Sequence, residues 1–128
     1  MKINTKIVLS SSAVFLGILG ISLSFFPQEI SLFLNLQAAS FLFLQVMGAL
    51  YFGFAMVNWM VKGSTIGGIY NRPIAIGNFS HFAIGALALI KYATKEMDSI
   101  PILIFTAAYT VFAIIFGLIV FTHPLNQT

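Results

Sequence analysis

Four long apolar stretches alternate with short polar connections along this chain, at about residues 7–26, 38–61, 72–91 and 100–122. Each holds roughly twenty residues, the length an α-helix needs to cross a hydrocarbon core. Polar and charged side chains gather between them: Pro27-Gln28-Glu29, Lys62–Arg72 and Lys91–Asp98. Short connections place consecutive helices side by side and reversed in direction. The pattern predicts an all-α integral membrane protein, an antiparallel up-down bundle of four transmembrane helices forming one domain over residues 1–128.

Punctuation along the chain refines these elements. Pro27-Gln28-Glu29 is expected to end the first helix. The short apolar run Ile30–Gln37 then fits either a helix on the membrane surface or a slanted entry into the second span. Asn71 suits the N-cap of the third helix and Asp98 or Ser99 that of the fourth, with Pro73 and Pro101 in the first turns. His123-Pro124 closes the fourth. Small residues fall on a helical stripe of the first helix, Ser10, Ala13, Gly17, Gly20 and Ser24, and a small and polar face of the third holds Gly77, His81 and Gly85 with Asn78 and Ala88 beside them. Thr106, Thr110, Ala113 and Gly117 form a similar stripe on the fourth, with Tyr109 flanking it. Such stripes let two backbones approach closely.

Composition adds the solvent. The chain is 59% hydrophobic and 7% charged, where soluble domains carry about 25% charged residues. A short chain buries the smallest share of its surface, so this apolar excess has to face lipid. The formal charge of +3 comes from scattered cations, which fits topology and not nucleic-acid binding. Lys2 and Lys6 precede the first span, and Lys62 and Arg72 lie between the second and third. Glu29 stands alone in the first connection, and the third has two lysines and two acids. That alternation predicts both termini on the cytoplasmic side of a cell membrane, most simply a bacterial inner membrane. A cleaved signal peptide is disfavoured, because the first apolar run is too long and no small-residue cleavage site follows it. The absence of cysteine excludes disulfide and thiolate chemistry.

A few polar side chains interrupt the spans. Asn58 lies about 6 Å from the Lys62 end of its helix by helical rise, and Asn78 about 8–9 Å from Arg72. His81 and Tyr51 lie deeper, at roughly 14 and 17 Å. Ser10–Ser12 enter at the level of Asn58. Together Tyr51, Asn58, Asn78 and His81 outline a polar pocket in the cytoplasmic half of the bundle, a candidate ligand site. Such residues also serve as hydrogen-bonding glue between helices. As a neutral imidazole, His81 donates from one ring nitrogen and accepts at the other. Its expected partners are Asn78, Tyr51 or Thr110. Two histidines, one of them at the membrane edge, are too few for a metal or bis-histidine haem site. No other cofactor is implied by the residues. Before the third helix, Gly67 and Gly68 could offer backbone N–H groups to an anion or lipid headgroup beside Arg72. The plain alternative is a flexible turn. GSTIGG has neither P-loop nor dinucleotide spacing.

The first span closed by Pro27, the apolar link, LQVMGALYFGFAMVNW at Leu44–Trp59 and GN-x-x-H at Gly77–His81 resemble the small four-helix bacterial membrane proteins of the broad DoxX-like group. The resemblance covers most of the chain and implies the same four-span plan. Some of those proteins are similar to subunits of quinone-linked oxidoreductases, and many have no assigned activity. The leading expectation is a non-catalytic structural, accessory or lipid-binding bundle, surrounded by membrane lipids and paired with a second copy or a partner membrane subunit. The alternative is a redox subunit that holds a quinone-like headgroup. Proton-coupled transport is disfavoured, because Glu29, Glu96 and Asp98 all lie in connections. A hydrolase is disfavoured because no acid stands ready to orient His81.

Overall fold

The computed structural model of the chain describes residues 3–36 and 40–123. Lys2, the first residues expected in the second span (Ala38 and Ala39) and Pro124 lie outside them. The described residues form five helices: α1 (Thr5–Phe25), α2 (Pro27–Phe33), α3 (Phe41–Val61), α4 (Arg72–Ala93) and α5 (Ile100–Phe121). All but α2 are long and apolar enough to cross a membrane. The all-α class and four candidate membrane spans are as the pattern predicts.

Packing groups these helices into two compact units, Lys6–Gly63 and Ser64–Thr128 together with Met1–Thr5. In the first, α1 and α3 run antiparallel. Asn58 meets Ser12, Ala55 lies opposite Gly17, Gly48 opposite Gly20, and Gln45 reaches Ser24. The buried residues of α3 are Leu44, Gly48, Ala55 and Asn58, at alternating three- and four-residue steps with half-buried Tyr51 between them. That spacing keeps one seam facing a partner helix. The closest approach is glycine on glycine. A Cβ on Gly20 would stand 2.7 Å from the Phe52 nitrogen and 2.8 Å from the Gly48 oxygen. Gly17 is looser, since a Cβ there would meet Ala55 Cβ at 3.7 Å, an ordinary contact.

Pro27 ends α1 and also opens α2, because a proline in the first turn forfeits an N–H that would be unpaired anyway. After Phe33 the chain turns through Asn35 at φ 53°. Asn35 N–H donates to the Leu32 carbonyl (3.2 Å) and Leu36 N–H to that of Ser31 (2.9 Å). This is a Schellman stop with asparagine in the left-handed position. Residues 30–33 thus belong to the short helix α2, and the turn at Asn35 separates them from α3.

In the second unit, α4 and α5 pack antiparallel along their lengths: Phe79 opposes Gly117 and Phe121, while Gly85 opposes Tyr109. The core face of α5 is larger than its small-residue stripe suggests. Tyr109 and Phe116 are buried, whereas Thr106, Thr110, Ala113 and Gly117 are only half-buried. The two threonine hydroxyls donate to carbonyls of their own helix, Ile102 and Thr106, each at 2.7 Å. On α4, Asn78 is buried, but Ala88 is exposed.

Candidate functional site

The polar residues expected to share a pocket belong to both units, and each unit disposes of its own. In the first, Asn58 and Ser12 are fully buried. Asn58 Nδ2 donates to Ser12 Oγ at 3.0 Å, and Ser12 Oγ donates in turn to the Leu9 carbonyl at 3.0 Å. An amide placed in an apolar span thereby finds an acceptor on the neighbouring helix, at the level the sequence indicates. Tyr51 lies two turns along the same seam, half-buried. Near the end of α3, the Lys62 ammonium sits 2.9 Å from the centroid of the Trp59 ring, a cation–π pair of the kind found where a membrane meets water.

In the second unit, Asn78 Nδ2 donates back to the Ile74 carbonyl at 3.0 Å. His81 Nε2 shares a hydrogen bond of 3.2 Å with the Tyr109 hydroxyl. Tyr109 is the neighbour of the expected partner Thr110, whose hydroxyl stays on its own helix. The geometry rests on Gly85. Lacking a Cβ, it lets the Tyr109 ring come close to α4, and from there the hydroxyl reaches His81 one turn earlier. Around the pair stands an aromatic cluster. Phe82 is fully buried, parallel to Phe116 at 5.7 Å and stacked on Phe112 at 4.8 Å. It also meets the edge of Tyr109 at 5.2 Å and of His81 at 5.0 Å. The sequence carried a signal for this cluster: Tyr109, Phe112 and Phe116 recur at helical spacing opposite Phe82.

The loop before α4 forms a turn held by backbone hydrogen bonds. Gly67 and Tyr70 exchange backbone hydrogen bonds of 3.0 and 2.9 Å, and Gly68 N–H donates to the Ile119 carbonyl of α5 at 3.3 Å. The N–H groups proposed for an anion are thus donors to carbonyls within the unit. Both glycines need their freedom, with φ of +127° and +55°. The His123 ring fills the space beside Gly68, and Arg72 reaches the Gly68 carbonyl at 3.4 Å. Asn71 holds the N-cap position, but its side chain donates across the loop to the Thr65 carbonyl at 2.6 Å and caps nothing. Ser99, at the start of α5, likewise makes no side-chain cap.

Among the described residues, no three of His, Cys, Asp and Glu gather as a metal site would require. No buried side-chain nitrogen or oxygen there lacks a hydrogen-bond partner. No family model, curated protein or solved structure matches the chain.

Proposed function

We propose that this protein is a non-catalytic bundle of the cell membrane, a structural or accessory component that contacts lipid directly. The observation that carries this reading is where the polar atoms of the spans go. Asn58 bonds Ser12 and His81 bonds Tyr109 between helices, as interhelical glue does, while Asn78 and Ser12 donate to carbonyls of their own helices. Large apolar side chains meanwhile cover the outside: Ile7, Ile18, Leu42, Phe43, Leu50, Ile84, Leu87 and Ile114 are all strongly exposed. An acyl-chain solvent accounts for that distribution. Lys6, Lys62 and Arg72 at the span ends support a cytoplasmic placement of the 63–71 loop and of both termini. A bacterial inner membrane and the DoxX-like plan of Leu44–Trp59 and Gly77–His81 fit the same reading.

A second reading has one observation in its favour. Half-buried His81 and buried Tyr109 form a hydrogen-bonding pair midway along their helices, the chemistry that would hold a quinone-like headgroup in a redox subunit. Native mass spectrometry from mild detergent separates the two. The leading reading expects the chain alone, as a homo-oligomer or with a partner subunit, carrying phospholipid. A stoichiometric quinone lost in His81→Leu would replace it with the second.

A further inference from the structure

We infer that α2 is an anchor in the lipid interface, with its second turn seated among acyl chains. This rests on the membrane reading above. Three observations place it. At 21 residues, α1 is about 31 Å long and fills the hydrocarbon core by itself. Its last residue is Phe25 and α2 begins at Pro27, so α2 starts at the membrane boundary. The Schellman stop at Asn35 then turns the chain back before α3, a second span, begins at Phe41.

Polarity along α2 follows that placement. Its first turn presents exposed Gln28 and Glu29, suited to headgroups and water. Pro27 is buried, Ile30 is half-buried, and the helix packs against α3. The second turn instead exposes Leu32 and Phe33, at 82% and 66%, and Phe25 at the end of α1 is 75% exposed. These side chains continue the apolar exterior of α1 and α3, where Ile18, Ile21, Phe41, Leu42 and Phe43 are exposed. Lipid is the occupant that this continuity selects. With no Lys or Arg between Ile7 and Val61, the attraction is apolar and not electrostatic.

Tryptophan quenching in vesicles tests this. Leu32→Trp and Phe33→Trp, each with Trp59→Phe, are reconstituted in phosphatidylcholine brominated either near the headgroup or near the chain end. Val14→Trp in the same background marks the centre of exposed α1. The expected result is strong quenching at 32 and 33 by the shallow bromines, unchanged when anionic lipid is added, with Val14→Trp quenched by the deep ones. Emission at 32 and 33 that responds to aqueous iodide, or to neither quencher, while Val14→Trp responds to bromine, overturns the anchor. A Val14→Trp signal insensitive to bromolipid overturns the membrane reading itself.

Discussion

A Cβ on Gly85 would stand 2.6 Å from Tyr109 Cε1 and 2.7 Å from Cδ1. The missing side chain on α4 is thus what admits the ring of α5, and through it the His81–Tyr109 hydrogen bond. Gly85→Ala should displace Tyr109 and destabilise the α4–α5 pair by about 1–3 kcal/mol through overpacking. Thermal unfolding in detergent reads the loss, and the ring-nitrogen chemical shifts of His81 read the broken bond. Unchanged values for both would mean that the ring does not lie against Gly85.

The three glycines Gly20, Gly48 and Gly53 should behave differently although all sit in apolar spans. Added carbons at Gly20 and Gly48 run into backbone atoms at 2.7–2.8 Å, while one at Gly53 meets nothing within 4 Å. Gly20→Ala and Gly48→Ala should each cost about 1–3 kcal/mol. Gly53→Ala should be neutral or stabilise by up to about 1 kcal/mol, since alanine favours helix. Equal melting temperatures for the three would contradict the α1–α3 contact.

Neighbouring serines supply a matched pair. Ser12 accepts from Asn58, whereas exposed Ser11 donates only to the Val8 carbonyl of its own helix. Ser12→Ala should cost roughly 0.5–2 kcal/mol by removing an acceptor from a buried amide, and Ser11→Ala close to nothing. The comparison is made by thermal unfolding of the two variants side by side.

Topology is open to direct labelling, because the chain has no cysteine of its own. Ser64 and Glu96 are exposed in the connections at opposite ends of α4. A membrane-impermeant maleimide should label Glu96→Cys in intact cells and Ser64→Cys only after permeabilisation. The reverse pattern would invert the orientation drawn from the cations.

Where the sequence speaks through apolar length, helix bounds are read to within about three residues. Arg72 and Ile100 begin α4 and α5 as expected, and α1 and α3 end within a residue of the expected positions. Pro27 is ambiguous by nature, since the same ring that cannot continue α1 is well suited to start α2. Polar partners were legible in part. Helical rise alone puts Asn58 level with Ser12, because both count from the same end of the helix pair. The Tyr109 partner of His81 was not legible, because it depends on a space that Gly85 leaves on the opposing helix. The docking of the loop was not legible either: paired glycines suit an anion nest or a turn alike, and here Gly68 N–H donates to the Ile119 carbonyl of α5.

The central claim is that polar groups inside the spans hold helices together. A double-mutant cycle on His81→Leu and Tyr109→Phe, read by unfolding in detergent, tests it most directly. The glue reading predicts a coupling of roughly 0.6–2 kcal/mol, with His81→Gln close to wild type because an amide still donates and accepts. A coupling indistinguishable from zero would mean that the pair contributes nothing to packing, and would contradict the account.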